Sequence, residues 1–490
     1  MVSILKHKWL WSAFVASIIA ILTAVAVPQH VQAAEKTYTV GTDVTFAPFE
    51  FANKNNKYVG IDIDLMNAIA KREGFKVNIK PVGFNAAVQA VEANQMDAVI
   101  AGMSITPERK QKMAMSDPYY KSGVVMAVAK NSKIKGLSGL RGKRVAVKTG
   151  TSSAMYANSI KKKYGFRTVT FDDSNNVYQD VTTGNSAACF EDQPVMQYSI
   201  ATGMKLKIVT KPALSGYYGI GVANKSKAEL MPKINAGIKA LKKDGTYNKI
   251  VAKYLGNGSI KSQKEKNKQT QETAHTFVGL LKANWGTLMG GLGETLELTV
   301  VGIVCATILG VLIGLLGVMP NKFAQGVATT FIYIFRGLPL MVLALFIYTG
   351  LPSLTGSKIP AFIAGIVTLT LNEGAYTAAF VKGGINAVDG GQMEAARSLG
   401  LPWGKSMRRV ILPQGIKIMV PSFINQFIIT LKDTSILSVI GLLELTQTGK
   451  IIIARNMEGF RIWSMVALMY LIIITLLTWL SNWFQKKVNA

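Results

Sequence analysis

Long apolar segments in the C-terminal part of this chain constrain its fold more than any other feature. Four runs after about residue 285 are long enough to cross a lipid bilayer: 296–318, 359–381, 416–442 and 462–484. In hydrocarbon every backbone N–H and C=O group needs an internal partner, so such runs have to form helices. A shorter run, 340–351, follows a predicted helix break at 336–339. The sequence therefore predicts an all-α membrane domain with five spans, within residues 285–490.

Residues 1–33 have the features of an export signal. Lys6 and Lys8 give a positive start, an apolar run covers 9–27, and Val31-Gln32-Ala33 ends on small residues typical of a cleavage site. The run is also long enough to remain as an uncleaved anchor. In both cases the segment that follows is predicted to be exported.

Residues 34–256 alternate strand and helix signals, as expected for an α/β domain with a largely parallel sheet. The predicted elements are strands at 38–41, 76–82 and 97–101 and helices at 66–72 and 85–93. Two extended apolar segments, 122–130 and 216–224, are predicted to cross between two lobes. One lobe would hold both ends of the domain and the other its middle. Residues 257–284 are interpreted as a linker, because 257–275 are polar without apolar periodicity.

The composition narrows the classes of function. The formal net charge is +28, but the basic residues are scattered, and no zinc-finger spacing or basic stripe with aromatics indicates a nucleic-acid partner. We interpret the charge as suited to an anionic cell envelope and to positive cytoplasmic loops. With two cysteines and three histidines, no metal site is predicted.

A short basic loop at 389–413 separates two of the predicted spans. Its sequence predicts two short helices. Asp389 caps the first and Gly400 ends it, while Pro402 starts the second and Pro413 ends it. Its arginines and lysine place the loop in the cytoplasm by the positive-inside rule. Five crossings that start outside give the same side.

This loop resembles the EAA loop of bacterial ABC importer permeases. The matching residues are Glu394, Ala395, Ala396, Gly400, Val410, Leu412 and Pro413, with Val410 where the family usually has Ile. The resemblance implies that Glu394, Ala395, Ala396 and Gly400 couple the chain to a separate ABC ATPase in the cytoplasm.

No nucleotide site is visible in the chain. A P-loop needs G-x-x-x-x-G-K-[ST], and the nearest match, Gly449-Lys450-Ile451, has the wrong third residue. No cofactor is therefore predicted in this chain, and ATP–Mg would be bound by the partner ATPase.

Four segments of the exported domain, 42–51, 101–109, 147–152 and 191–194, resemble polar amino-acid-binding proteins of ABC importers, glutamine-binding proteins above all. The resemblance extends over 38–255 and implies a bilobal, periplasmic-binding-protein-like domain of type II. The substrate-binding residues that match are Asp43, Phe46, Phe84, Ser104, Arg109, Lys148, Ser152 and Asp192. Glu191 stands where glutamine binders often carry His.

The side chains at these positions fit the chemistry of an α-amino acid. Arg109 offers a two-donor fork for the carboxylate, helped by Ser104 and by the backbone N–H groups of Ser104 and Ser152. Asp192 supplies the charge opposite the ammonium, and the two phenylalanines flank the aliphatic stem. Asp43 accepts from a side-chain amide and Lys148 donates to its oxygen, which favours glutamine, with asparagine or glutamate second.

Simpler interpretations of the same residues stay open at this point. Arg109 suits a surface ion pair and Asp43 a turn. Phe46 and Phe84 suit an ordinary core. Glu191-Asp192 suits a helix cap.

Ionisable residues inside predicted spans indicate the transport route. Glu373 lies in the third span and is predicted to line a translocation pathway. Lys432 and Asp433 either share that role or mark the outer interface.

Together these features predict a fused binding protein and permease of a polar amino-acid importer, in the plasma membrane, with the binding domain extracellular. Such a chain would form a homodimer through the membrane domain, contact lipid, bind an ATPase and perform no bond chemistry. The rival interpretation is an amino-acid-gated channel or sensor receptor, since glutamate receptors use the same clamp. In those proteins the pore segments interrupt the clamp, whereas here the spans follow it.

Overall fold

The structure is a computed structural model that describes residues 36–53, 57–256, 258, 260–261, 276–355, 357–456 and 458–489. The predicted export signal at 1–33 and most of the polar segment 257–275 lie outside the described residues.

Strands and helices alternate through the N-terminal half of the chain. The strands are β1 (Thr37–Thr42), β2 (Thr45–Phe46), β3 (Glu50–Ala52), β4 (Tyr58–Val59), β5 (Lys76–Pro81), β6 (Ala98–Val99), β7 (Ala114–Met115), β8 (Tyr120–Ala129), β9 (Arg144–Lys148), β10 (Arg167–Phe171), β11 (Ala188–Asp192), β12 (Leu206–Ile208), β13 (Ala213–Tyr218) and β14 (Gly221–Val222). The helices are α1 (Ile61–Glu73), α2 (Phe84–Glu92), α3 (Pro107–Lys112), α4 (Ser152–Tyr164), α5 (Ser174–Thr182), α6 (Gln193–Ala201), α7 (Lys227–Lys243) and α8 (Thr246–Leu255).

These elements form two lobes, each built on its own sheet. The first sheet has the order β5-β1-β6-β14-β7 and the second β10-β9-β11-β8-β12, with β13 paired to β8. The pairs β1–β5, β1–β6, β9–β10 and β9–β11 are parallel, while β8 and β14 return antiparallel. Lobe 1 therefore holds both ends of the domain and lobe 2 its middle, so the predicted bilobal α/β fold is confirmed.

The chain crosses between the lobes near Tyr120 and Tyr218, and not along the whole of the predicted segments 122–130 and 216–224. From Val124 onward β8 is inside the second sheet, where it pairs with β11 and then with β12. The chain changes lobe near Tyr120 and Tyr218, which pair with each other where β8 and β13 meet. A central strand buried on both faces is as continuously apolar as a crossing strand, so the sequence alone did not separate them.

The first long helix begins earlier than predicted. Helix α1 starts at Ile61, five residues before 66–72, and carries Asp62 and Asp64 in its first turn. Acidic side chains suit this end because they face the positive end of the helix dipole.

The membrane domain is helical. Its helices are α9 (Phe277–Leu316), α10 (Lys322–Gly337), α11 (Leu340–Leu345), α12 (Leu351–Thr355), α13 (Ala361–Asn386), α14 (Gly390–Ser398), α15 (Trp403–Ser406), α16 (Leu412–Asp433), α17 (Leu445–Asn456) and α18 (Gly459–Asn489). The first of them starts inside the segment 257–284 that the sequence assigned to the linker.

Three helical stretches in the described residues have the length and composition of a membrane span: Phe277–Leu316, Trp403–Ile440 and Gly459–Ser481. A fourth arises if Lys322–Gly337 and Leu340–Thr355, bent by 100° at the predicted break, count as one span. Helix α13 covers the third predicted span but does not combine the length and apolar composition of the three stretches above. Five crossings therefore stay a prediction.

The predicted stop at Pro413 is wrong. Helix α15 continues through a π-helical turn, Met407–Ile411, into α16, with Pro413 near its start. Proline has no N–H to donate and its ring crowds the preceding turn, but the π-helical turn just before Pro413 already widens the helix there, so the helix continues through it.

Helices α9 and α13 pack closely through glycines. A Cβ atom at Gly310 would lie 2.4 Å from Thr377 Cβ, and one at Gly314 would lie 2.5 Å from Val381 Cβ. Small residues let helix backbones approach in membranes, where van der Waals packing holds helices together. This contact brings Glu373, on α13, into the interior of the domain, where it is fully buried.

We predict that Gly310→Ala destabilises the full chain by about 1–3 kcal/mol, because the added methyl overpacks the α9–α13 contact. Gly293→Ala is the matched control, since Gly293 is on the same helix and faces open space. Both changes gain the same helix propensity, so the difference isolates the packing. Thermal unfolding in detergent measures it, and equal midpoints for the two variants would refute the tight contact.

Candidate functional site

The cleft between the lobes brings the predicted binding residues together. Lobe 1 contributes Asp43, Phe46, Phe84, Ser104 and Arg109, and lobe 2 contributes Lys148, Ser152 and Asp192. They stand at the ends of strands or the starts of helices that face the cleft. Contacts between the two sets, described below, show that the lobes are closed on each other.

An ion pair between Asp43 and Lys148 joins the lobes. The Lys148 ammonium donates to Asp43 Oδ2, and both side chains are 3% exposed. Asp43 Oδ1 also accepts from the backbone N–H of Val44 at 2.7 Å, so the carboxylate is held in place by its own turn. Burial alone would lower the pKa of Lys148, but the Asp43 carboxylate outweighs it and the pKa is raised. The two residues predicted to recognise a side-chain tip are thus in direct contact here.

Two aromatic rings line the same part of the cleft. The Lys148 ammonium lies 5.1 Å from the centre of the Phe46 ring and 5.5 Å from that of Phe84. The Arg109 guanidinium lies 5.3 Å from the Phe84 ring. Both rings are 5% exposed, so they are part of a core and also face the cationic groups of the cleft.

Arg109 bridges the lobes through backbone carbonyls. Its Nη1 donates to the Ser104 carbonyl at 2.7 Å, and its Nη2 donates to the Gly150 carbonyl of lobe 2 at 3.0 Å. Gly150 has φ +73°, and a Cβ there would lie 2.2 Å from Asn85 Oδ1 of lobe 1. Only glycine therefore allows the lobes to come this close. Burial lowers the pKa of Arg109, against the charge of Asp192.

Asp192 is held by two hydroxyl groups that sequence reasoning missed. Tyr218 Oη donates to Asp192 Oδ2 at 2.6 Å, and Ser153 Oγ donates to Oδ1 at 2.9 Å. Ser122 Oγ in turn donates to Tyr218 Oη at 3.1 Å. Burial raises the pKa of Asp192, although these hydrogen bonds oppose the shift. Since Tyr218 and Ser122 are at the lobe crossing, the carboxylate is connected to the hinge. The only signal in the sequence was the position of Ser153 beside Ser152.

Ser152 lies at the start of α4, where Thr151 Oγ1 caps the helix by accepting from Ala154 N at 3.2 Å. The Ser152 hydroxyl is itself buried and has no hydrogen-bond partner among the described residues. The N-terminus of α4 thus faces the cleft with N–H groups, a favourable setting for a carboxylate.

Glu191 is fully buried behind Asp192. Its Oε2 accepts from Tyr178 Oη at 2.9 Å, and its Oε1 accepts from the backbone N–H of Asp192 at 3.0 Å. Burial and the adjacent Asp192 raise the pKa of Glu191 to about 7. The residue that departs from the pattern of glutamine binders is thus a buried carboxyl group whose pKa is raised by burial and by the adjacent Asp192.

Glu373 forms a polar pair inside the membrane domain. Gln426 Nε2, on α16, donates to Glu373 Oε2. The other oxygens, Glu373 Oε1 and Gln426 Oε1, are buried without a hydrogen-bond partner in the part of the chain that the structure describes. Next to it, Asn372 Nδ2 donates to the Phe335 carbonyl at 3.0 Å. Such a pair is costly in lipid and is a candidate polar site along a transport route.

The EAA-like loop presents part of its predicted contact face to solvent. Asp389 Oδ1 accepts from Gly391 N at 2.7 Å and caps α14, and Gly400, with φ +82°, follows the helix. Glu394, Ala395 and Gly400 are exposed, whereas Ala396 is buried against the domain. Leu399, next to Gly400, is 84% exposed. Single exposed apolar residues are common on protein surfaces, so this side chain alone does not define a contact surface.

Comparison with known proteins assigns the two halves of the chain. Residues 38–257 match the family of bacterial extracellular solute-binding proteins, family 3, and residues 306–490 match the binding-protein-dependent transport system inner membrane component.

Individual relatives agree with this division. The chain is 38% identical to the glutamine transport system permease protein GlnP of Escherichia coli (strain K12), over 41% of this chain and 93% of that protein. It is 33% identical to the probable glutamine ABC transporter permease protein GlnM of Bacillus subtilis (strain 168), over 43% of this chain and 98% of that protein. In the other half, it is 33% identical to ABC transporter arginine-binding protein 1 of E. coli, over 44% of this chain and 90% of that protein.

We predict that the stability of the binding domain falls with rising pH in a way that depends on Glu191. The folded state raises the pKa of Glu191 from 4.5 to about 7. Its contribution to stability is therefore complete below about pH 4.5 and lost as pH rises through 7. In Glu191→Gln the decrease in the free energy of unfolding between pH 5 and 8 should be smaller than in the parental domain by about 1–3 kcal/mol. Urea unfolding of residues 34–256 at several pH values measures this free energy. The same pH dependence in both proteins would contradict the role given to Glu191.

Proposed function

Because the chain belongs to the polar amino-acid ABC importers, as a solute-binding domain fused to a permease domain, we propose that it imports glutamine. The binding domain captures the amino acid outside the cell and delivers it to the membrane domain of the same chain. Asparagine and glutamate are the next candidates. The chain is a transport component and not a catalytic enzyme.

The observation that carries the proposal is the arrangement of charges in the cleft. Arg109 and Asp192 come from opposite lobes and offer a cation and an anion, as the carboxylate and ammonium of an α-amino acid require. Asp43 and Lys148 provide a second anion and cation at a separate position, next to Phe46 and Phe84. One acceptor and one donor together match a carboxamide.

The same charges favour glutamine over arginine. A guanidinium group at the tip of the ligand would face the buried Lys148 ammonium, and like charges in a buried site repel strongly. The relatives of the permease half include glutamine transport proteins, and the binding half is similar to an arginine-binding protein. A glutamate side chain would sit badly against Asp43 unless one of the two carboxyl groups were protonated.

The remaining parts of the proposal concern the assembly. Two copies of the chain pair through the membrane domain in the plasma membrane, with lipid around them, the binding domains extracellular and the 389–413 loops in the cytoplasm. Each loop receives a separate ABC ATPase, which binds ATP–Mg, and Glu394, Ala395, Ala396 and Gly400 couple the two proteins. Glu373 lines the route across the membrane. The exposed position of Glu394 on α14 supports the coupling role.

An amino-acid-gated channel or sensor receptor is not favoured. The second half of the chain matches permease relatives over most of their length. A channel would have pore segments in this half in place of a permease domain.

We predict tight glutamine binding to residues 34–256, measured by titration calorimetry. Arg109→Ala and Asp192→Ala should each weaken it about 10–100-fold or more, because each removes a charge-assisted hydrogen bond worth about 1.5–3 kcal/mol. Arg141→Ala, at an exposed arginine of lobe 2, is the control. No heat with any polar amino acid would refute the substrate, and near-parental affinity would remove the altered residue from the site.

We predict that Glu394→Lys abolishes ATP-driven glutamine uptake into proteoliposomes but leaves glutamine affinity unchanged, because it alters the surface offered to the ATPase and not the cleft. Gln392→Lys, an exposed change on the same helix, controls for added positive charge. Uptake at the parental rate in Glu394→Lys would contradict the coupling role.

A further inference from the structure

One glutamine side chain of lobe 1 hydrogen-bonds to the membrane domain. Gln95 Oε1 accepts from the backbone N–H of Ile359 at 2.6 Å, and Gln95 Nε2 donates to the Ser357 carbonyl at 3.2 Å. Both partners are in the segment between α12 and α13. A single amide that binds one backbone segment through both its donor and its acceptor fixes orientation as well as distance.

An ion pair lies beside this amide. Lys358 Nζ is 2.8 Å from Asp97 Oδ1, and the Asp97 side chain is 12% exposed. Asp97 is itself fixed within lobe 1, because it accepts from Thr39 N at 2.8 Å and from Ser226 Oγ at 2.8 Å. Burial alone would raise the pKa of Asp97, but the hydrogen bonds from Lys358, Thr39 and Ser226 outweigh it and the pKa is lowered. Because Asp97 is already held by Thr39 and Ser226, the pair fixes the position of Lys358 relative to lobe 1, whatever its net energy.

Apolar packing extends the contact on the same lobe. Gly441 sits against Val82, so closely that a Cβ atom there would lie 2.2 Å from Val82 Cγ1. Ile451 of α17 packs into a small cluster with Val44 and Ala52 of lobe 1. Lobe 1 is therefore held by hydrogen bonds, an ion pair and buried apolar groups together.

Lobe 2 meets the membrane domain differently. Gln179 of α5 packs on Gly459 at the start of α18, where a Cβ atom would lie 2.8 Å from Gln179 Nε2. Lys450 is close enough to Asp173, the cap of α5, for its charge to act on that carboxyl. These contacts involve a half-buried amide, a glycine and a charge at a distance, without the direct hydrogen bonds and buried apolar cluster of lobe 1, so they separate more readily.

The two lobes are connected near Tyr120 and Tyr218, which pair with each other, so a hinge that opens the cleft would lie there and would move the less firmly held lobe. Resting on the importer function proposed above, we propose that the segment 357–359, Gln95 and Asp97 form a standing anchor. It keeps lobe 1 of the binding domain docked on its own membrane domain whether the cleft is open or closed. Lobe 2 swings, and its arrival at Gly459 reports that a ligand has been captured.

Two cysteine pairs in the full chain test this proposal. In a Cys189→Ala, Cys305→Ala background, Lys80→Cys with Glu294→Cys probes lobe 1, because these two side chains lie close enough for their charges to interact and neither belongs to the anchor. Gln179→Cys with Gly459→Cys probes lobe 2. Each is treated with a short bifunctional maleimide in proteoliposomes, with and without glutamine. The lobe 1 pair should react at the same rate in both conditions, and the lobe 2 pair about tenfold faster with glutamine, because the ligand shifts the population of closed cleft.

A rise in both rates with glutamine would overturn the anchor, because the domain would then dock only when closed. A lobe 2 rate that ignores glutamine, in protein shown by calorimetry to bind it, would overturn the reporting role. A product of twice the chain mass would show docking on a second copy and contradict an anchor within one chain. The cross-linking rate of the lobe 1 pair without ligand tests the anchor whatever the substrate is. Failure of the domain to bind glutamine would therefore contradict the proposed substrate and not the anchor.

A charge reversal gives a second measurement that leaves Gln95 and Asp97 intact. Lys358→Asp places two carboxylates together, so glutamine uptake should fall while glutamine affinity stays at the parental value. Lys322→Asp, at an exposed lysine that starts α10, is the matched control. Parental uptake in Lys358→Asp would contradict the anchor.

Discussion

The rest of the binding domain depends on a buried ion pair between two bodies that are otherwise separate. Asp43 belongs to lobe 1 and Lys148 to lobe 2, and both are almost fully removed from water. Loss of one partner of such a pair costs about 3–5 kcal/mol, because the other charge is left buried alone. The closed cleft therefore needs both charges satisfied, either by each other or by a ligand with groups of matching sign. Other groups stabilise the same closed arrangement. The aromatic rings contact the Lys148 ammonium, Arg109 donates to a carbonyl of lobe 2, and Gly150 leaves room for lobe 1.

The fold was largely predictable because its signals are local. Alternation of apolar residues places β1, β5 and α2 within one or two residues, and the apolar runs predict the helical membrane domain. The misses occurred where one pattern has two structural causes. An apolar strand such as β8 looks the same at the centre of a sheet as at a lobe crossing. A proline such as Pro413 ends a helix or starts one, and only the preceding π-helical turn decides which.

The sequence indicated which residues of the candidate site lie in the cleft, but it did not indicate their contacts. All eight residues predicted to bind substrate border one cleft, since the resemblance placed them by position. That Asp43 pairs with Lys148, and that Arg109 donates to two carbonyl groups, depends on the distance between the lobes, which no single segment encodes. Tyr218 was missed for the same reason, because it lies 26 residues from Asp192 in the chain yet donates to it. The partly unsatisfied pair of Glu373 and Gln426 likewise joins helices that are 53 residues apart.

The uninterrupted helical path from Trp403 to Ile440 has a mechanical consequence. At about 1.5 Å per residue it is a rod on the order of 50 Å long. One end continues from the loop that carries Glu394, and the other ends at Gly441, which presses on Val82 of lobe 1. A helix resists compression along its axis far better than a chain of separate loops does. The π-helical turn Met407–Ile411 and Pro421, inside α16, are the points where this rod bends most easily. A displacement of the loop therefore reaches lobe 1 only as far as these two points stay straight.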